Sequence, residues 1–181
     1  MKLILIGIQG SGKSTQGNLL SRALNTPYLS TGHIFRELAK EHTAEGNYIR
    51  ETLNAGDLIP DDQTLKIVSE YLKKDEYKNG YILDGFPRTT HQAEVFDRDI
   101  TKVVYLKVSD KEALWRLSGR DDERLDTTLK AIRKRINLFH QLTEPVLDFY
   151  RQRGILLEID GEKSIEEINK EILTQIENVK K

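Results

Sequence analysis

Five short apolar runs punctuate the chain, and amphipathic stretches fill the intervals between them. Leu3 to Ile8, Pro27-Tyr28-Leu29-Ser30, Tyr81-Ile82-Leu83-Asp84, Val103 to Val108 and Ile155 to Ile159 carry apolar residues at successive rather than alternate positions. That is the pattern of strands buried on both faces. Helical periodicity marks the segments near 13–24, 33–42, 61–73, 110–118, 127–151 and 164–179. Strands alternating with helices predict βαβ units, hence an α/β domain with a five-stranded parallel sheet and helices on both faces. Local punctuation agrees with these limits. Asp110 and Ser164 are candidate N-caps, and Ser164 has Glu167 three residues later, a capping box. Gly154 after Arg153 reads as a helix stop.

Two stretches break the rhythm. Asn25 to Pro60 is long for one crossover and mostly helical in pattern, which predicts an insertion at about 30–60 packed beside the sheet. Gly119 to Asp126 is irregular, with five consecutive charges from Arg120. No internal repeat or low-complexity segment occurs, so residues 1–181 are read as a single domain.

Composition narrows the partners. The chain has 28 basic and 29 acidic residues in 181, a net charge of −1, so charge gives no reason to expect nucleic acid or a membrane surface. It contains no cysteine, hence no disulfide and no thiolate zinc site. The apolar run after Met1-Lys2 is too short for a secretion signal, and no segment approaches the ~18 apolar residues of a membrane span. A cytoplasmic protein is the expectation. His33, His42, His91 and His140 lack metal-ligand spacing and read as surface or capping residues. Nothing supports a Ser-His-Asp or Cys-His arrangement.

The strongest chemical signal follows the first strand. Gly7 to Ser14, in Gly7-Ile8-Gln9-Gly10-Ser11-Gly12-Lys13-Ser14-Thr15, fits G-x-x-x-x-G-K-[ST]. A strand precedes it and a helix follows, as a P-loop requires. The glycines let backbone N–H groups curl into an anion nest, and the helix directs its positive end at the same phosphate. Lys13 is placed to reach β- and γ-phosphates, and the Ser14 hydroxyl to meet Mg²⁺. With the alternating elements this predicts the three-layer P-loop NTPase fold.

Ligands of open α/β sheets bind beyond the carboxyl ends of the strands. Asp84 closes a strand there and suits Mg²⁺, directly or through water. It opens Asp84-Gly85-Phe86-Pro87-Arg88, which brings an arginine past the strand end. Arg36, Arg116, Arg120, Arg124 and Arg135 fall on other segments near strand ends. Arg124 and Arg135 are close to three helical turns apart, so a helix from Arg124 would put both on one face. Arginine binds phosphoryl oxygens bidentately and stays charged at any working pH.

In these residues the chain resembles the nucleoside monophosphate kinases, and among them the short-lid adenylate kinases. The resemblance runs almost end to end. It rests on the P-loop, Ser30-Thr31-Gly32 with Arg36, Ala55-Gly56-Asp57-Leu58-Ile59-Pro60, Asp84-Gly85-Phe86-Pro87-Arg88-Thr89 with Gln92, and Arg116, Arg120, Arg124-Leu125-Asp126 and Arg135. Thr143-Glu144-Pro145-Val146 and Tyr150 with Arg153-Gly154 extend it. It implies Mg²⁺-dependent phosphoryl transfer from ATP to AMP, giving two ADP, by a monomer.

The roles it implies follow the motifs. Gly10, Ser11, Gly12, Lys13, Ser14 and Thr15 would hold the ATP phosphates. Arg116 would stack on the donor base with Lys163 nearby. Arg36 and Arg88 would grip the AMP phosphate, beside Gly85, Phe86 and Pro87. Thr31, Asp57, Leu58, Ile59 and Gln92 would read the acceptor base. Arg120, Arg124 and Arg135 would close over the transferring group, and a minimal lid is expected at about 119–127. The chain departs from the family pattern at Gln9, Ser14, His33 and Thr127. A kinase for CMP, UMP or another monophosphate, and a slow ATPase or nucleotide switch, are the alternative readings.

Overall fold

Strand β1 (Lys2–Ile6) is the middle of a five-stranded, all-parallel sheet. Beside it on one side lie β3 (Tyr81–Asp84) and then β2 (Tyr28–Ser30). On the other lie β4 (Lys102–Lys107) and then β5 (Leu156–Asp160). The computed structural model describes residues 1–96, 99–118 and 128–177. Leu5 pairs with Asp84 on one side and Val104 on the other, so β1 and β3 end nearly level while β4 runs on to Lys107. The chain builds outward from β1 first toward β2 and then toward β5. This reversal opens a crevice beyond the carboxyl ends of β1 and β3.

Both faces of the sheet are covered, as the continuous apolar runs predict. Leu3, Leu5, Ile82, Val104 and Ile159 face Leu20 of α1 (Lys13–Leu24) and Ile168, Ile172 and Ile176 of α9 (Ile165–Glu177). Ile4, Ile6, Leu83, Val103 and Tyr105 point the other way. They join Val68 of α4 (Asp61–Leu72), Ala93 of α5 (Thr90–Val95), Ile136 of α7 (Leu129–Leu138) and Val146 of α8 (Glu144–Gln152). Neighbouring strand residues point to opposite faces, so each must be apolar to be buried.

The insertion has a small core of its own. Phe35 and Ala39, at and just past α2 (Thr31–Leu38), meet Ile49 of α3 (Ala44–Asn54) and Ile59. Short side chains start these helices: Ser30 Oγ accepts from the His33 N–H at 3.4 Å, and Thr43 Oγ1 from the Gly46 N–H at 3.0 Å. Thr89 Oγ1 does the same for α5, accepting from the Gln92 N–H at 3.1 Å.

Several expected limits shift for physical reasons. The first strand stops at Ile6, because Ile8 already belongs to a turn closed by Ser11 N–H to Ile8 O at 3.1 Å. The long helix expected at 127–151 divides into α7, a π-helical turn at Phe139–Thr143, and α8. Pro145 near the start of α8 has no N–H for the ladder, and its ring crowds the preceding turn; the wider π turn accommodates both. The cap of α6 (Asp110–Ser118) is Ser109 rather than Asp110, since Ser109 Oγ accepts from the Glu112 N–H at 3.3 Å. The capping box at α9 forms as expected, with Ser164 N–H to Glu167 Oε2 at 3.1 Å and Glu167 N–H to Ser164 Oγ at 3.3 Å.

Candidate active site

Between β1 and α1 the backbone wraps a concave loop. Gly10 and Gly12 take φ of +93° and +90°, which side chains resist. At Gly10 space forbids one as well, since a Cβ would sit 2.8 Å from the Ala113 carbonyl oxygen of α6. Gly12 is the N-cap of α1, and no side chain caps that helix end, so its leading N–H groups suit an anion. Lys13 Nζ curls back into the loop, donating to Gly7 O at 2.7 Å, Ile8 O at 2.9 Å and Ser11 Oγ at 3.3 Å. The sequence thus makes a cationic cradle from one strand end and one helix start.

The neighbouring strand supplies the acid. Asp84 is buried, and its Oδ2 accepts from Ser14 Oγ at 3.3 Å and from Tyr28 Oη at 2.7 Å. Burial, followed by the Asp84 charge and hydrogen bond, pushes the Tyr28 phenol far above its usual range, so it remains a donor. Carboxylate and hydroxyl oxygens side by side are hard ligands that suit Mg²⁺. Among the described residues no group of three or more His, Cys, Asp or Glu side chains is arranged to hold a metal. The donor set therefore fits an ion that keeps water and phosphate ligands.

Two clefts meet at this edge. The first, about 980 Å³ and open to solvent, runs from Gly10, Gly12, Lys13 and Ser14 past Asp84 to Arg36, Arg88 and Arg135. The second, about 560 Å³, extends under the insertion and shares those three arginines. Phe35, Leu53, Leu58 and Ile59 give it apolar walls, and Gln92 is a polar group in its lining. Arg88 is braced by its Nε–H to Gly85 O at 2.7 Å, while Thr143 Oγ1 donates to the Arg88 carbonyl at 2.9 Å. Gly85, Phe86 and Pro87 line the first cleft between the arginines and the strand ends.

Not every expected site residue enters these clefts in the same way. Asp57 lines the second, and its carboxylate also pairs with Lys134 of α7 at 2.6 Å. Thr31 is buried and donates its hydroxyl to Asp84 O at 3.1 Å. Thr15 is exposed on the first turn of α1. Arg116 pairs with Glu112 at 2.7 Å on α6, which packs over the P-loop at Gly10. Lys163 pairs with Glu171 at 2.9 Å, and its neighbour Glu162 accepts from the Ser109 N–H at 2.8 Å. Arg120, Arg124 and the lid expected at about 119–127 lie outside the described residues, as does a helix beginning at Arg124.

Sequence reasoning passed over three contacts. They are Tyr28 with Asp84, Lys134 with Asp57, and Asp61 with Gln92. Asp61 Oδ1 accepts from Gln92 Nε2 and its Oδ2 from Thr89 Oγ1, both at 2.7 Å. Only the habit of acidic residues in first helical turns hints at Asp61.

A P-loop cradle suited to polyphosphate thus opens into a cleft that shares three arginines with a second pocket, and arginine forks suit phosphate oxygens. In class, the chain is a P-loop phosphotransferase. A family model described as adenylate kinase matches residues 5–155. The chain is 34% identical to an adenylate kinase of Caldicellulosiruptor bescii, with 96% of this chain and 97% of that one aligned. It is 31% identical to adenylate kinases of Staphylococcus aureus and Acetivibrio thermocellus, over 99% of this chain and all of each relative. The chain belongs to the adenylate kinase family.

Proposed function

We propose that the chain transfers the γ-phosphoryl group of ATP to AMP, reversibly and with Mg²⁺, to give two ADP. The observation that carries this is the junction of the two clefts at Arg36, Arg88 and Arg135. ATP phosphates lie in the cradle of Gly10, Ser11, Gly12, Lys13, Ser14 and Thr15. AMP lies in the second cleft, its base between the apolar walls and beside Gln92, its phosphate at the arginines. An AMP phosphate oxygen attacks the γ-phosphorus; the bond to the β–γ bridging oxygen breaks, and its electrons leave with ADP. The arginines hold both phosphates in line and offset the charge spread over the transferring group, which is most of what such a reaction needs.

Mg²⁺ would be held near Ser14 and Asp84, directly or through water, and when bound it neutralises charge on the donor phosphates. By resemblance, Arg120 and Arg124 close the site from the minimal lid, and Arg116 and Lys163 flank the donor base. A cytoplasmic monomer goes with this reading; fractionation and sedimentation test it. No helix among the described residues is long and apolar enough to cross a membrane.

The test is a coupled assay of ADP formation with Mg-ATP against AMP, CMP, UMP, GMP and no acceptor. Fast turnover with AMP, abolished by chelation and restored by Mg²⁺, is expected. A preference for another monophosphate overturns the acceptor. Turnover with every monophosphate no faster than without acceptor overturns the kinase reading.

A further inference from the structure

The acceptor cleft presents a primary amide whose orientation is fixed by two partners of opposite kind. Gln92 is only 2% exposed. Its Oε1 accepts from the Arg88 N–H at 2.7 Å, and its Nε2 donates to Asp61 Oδ1 at 2.7 Å. A backbone N–H can only donate and a carboxylate can only accept. Turning the amide over would set oxygen against carboxylate and NH₂ against N–H, losing both bonds and creating two repulsive contacts. Asp61 is itself held. Thr89 Oγ1 donates to its other oxygen at 2.7 Å, and Thr89 also caps α5, the helix that carries Gln92.

Counting valences gives what is left for a ligand. Oε1 keeps one lone pair and Nε2 keeps one N–H. A 6-aminopurine offers the complement, an amino N–H beside a ring-nitrogen acceptor. A 6-oxopurine offers the reverse, a carbonyl oxygen beside a ring N–H. An amide free to turn over could satisfy either base; one locked in this sense satisfies only the first.

We propose that Asp61 is a specificity-positioning residue: by fixing the sense of the Gln92 amide, it makes the acceptor cleft take a 6-aminopurine and reject a 6-oxopurine. The proposal rests on AMP being the acceptor. Asp61 itself acts through Gln92 and is not assigned a contact with the base or phosphate.

AMP and IMP differ only at the purine edge in question, so they are the probes. Steady-state kinetics with Mg-ATP would compare the full chain with Asp61→Asn. An asparagine of the same shape can present either an acceptor or a donor, so turning Gln92 over then sacrifices only the Arg88 N–H bond instead of both. The AMP-to-IMP ratio of kcat/KM is expected to fall about tenfold or more, with the change in KM larger than that in kcat. Asp61→Ala, which removes the carboxylate half of the lock and leaves the Arg88 N–H half, should move the ratio in the same direction. A merely structural role for Asp61 would change both substrates alike. If wild type prefers AMP and a folded variant keeps that preference within about twofold, the lock is refuted and the acceptor stands. If wild type does not use AMP, the acceptor reading has failed and the proposal goes with it.

Discussion

Changing Arg88→Ala should remove most of the rate and little of the fold. Arg88 lines both clefts, and in the proposed reaction the donor and acceptor phosphates meet there. Its Nε–H is committed to Gly85 O at 2.7 Å, which aims the guanidinium. Two charge-assisted bonds from that fork to phosphate oxygens contribute about 1.5–3 kcal/mol each, together about 3–6 kcal/mol. At about 1.36 kcal/mol per tenfold, kcat/KM falls by about 10² to 10⁴. Loss of the bond to Gly85 O costs the fold about 1 kcal/mol, or about 2–4 °C in Tm for a chain of this size. A coupled assay beside a thermal melt separates the two effects. Arg88→Lys keeps the charge without the fork and should fall between wild type and alanine. A folded alanine variant retaining more than about a third of wild-type kcat/KM would refute the placement of Arg88 at the junction.

Other changes test other parts of the account. Lys13→Ala removes the cation from the loop, so calorimetry should show weaker Mg-ATP binding alongside a fall of orders of magnitude in kcat/KM; unchanged affinity would contradict the cradle. Ile172 has no exposed surface in the α9 face of the core, so Ile172→Ala should cost about 2–5 kcal/mol in denaturant unfolding. A cost below about 1 kcal/mol would mean that this face is loosely packed. His140 links α6 to α8 through Asp110 and Glu144, both at 2.9 Å. Burial opposes its charge, but the hydrogen bonds and charges of the two acids outweigh that, and the imidazole titrates above its ordinary value. Its stabilisation is complete below about pH 6.5 and lost as pH rises through the raised folded value, so His140→Gln should lower Tm more at pH 6 than at pH 9. The effect is small because the ring is 40% exposed, and an equal loss at both pH values would contradict it.

The parts of the fold legible in the sequence are those encoded locally. A strand buried on both faces must be a continuous apolar run, and β1, β3 and β4 were readable on that ground; the half-buried edge strands β2 and β5 gave weaker runs. The P-loop was readable because a phosphate nest needs glycines, lysine and a helix start within ten consecutive residues. Helix ends were harder. The π turn exists because Pro145 meets a helix that continues past it, and periodicity alone cannot show how the chain accommodates a missing N–H. The short α5 gave too few turns for a periodic signal, and α3 lay in a stretch read only as mostly helical.

The site divides along the same line. Arg36, Arg88 and Arg135 were suspected because each lies near a strand end or on a facing helix, and the structure brings all three to one junction. Tyr28 against Asp84 and Asp61 against Gln92 were not legible. The two pairs are separated by 56 and 31 positions, and neither partner's type announces the other. Pairs like these are set by how two helices or strands come to lie side by side, which is a property of packing rather than of spacing.

The most direct test of the central claim starts from ADP alone. With Mg²⁺ and no other nucleotide, ³¹P NMR should show ATP and AMP appearing in equal amounts until the same mixture is reached as from ATP plus AMP. Only an enzyme that seats two adenine nucleotides with their phosphates meeting does this. ADP that stays unchanged, or that yields inorganic phosphate instead, would contradict the account.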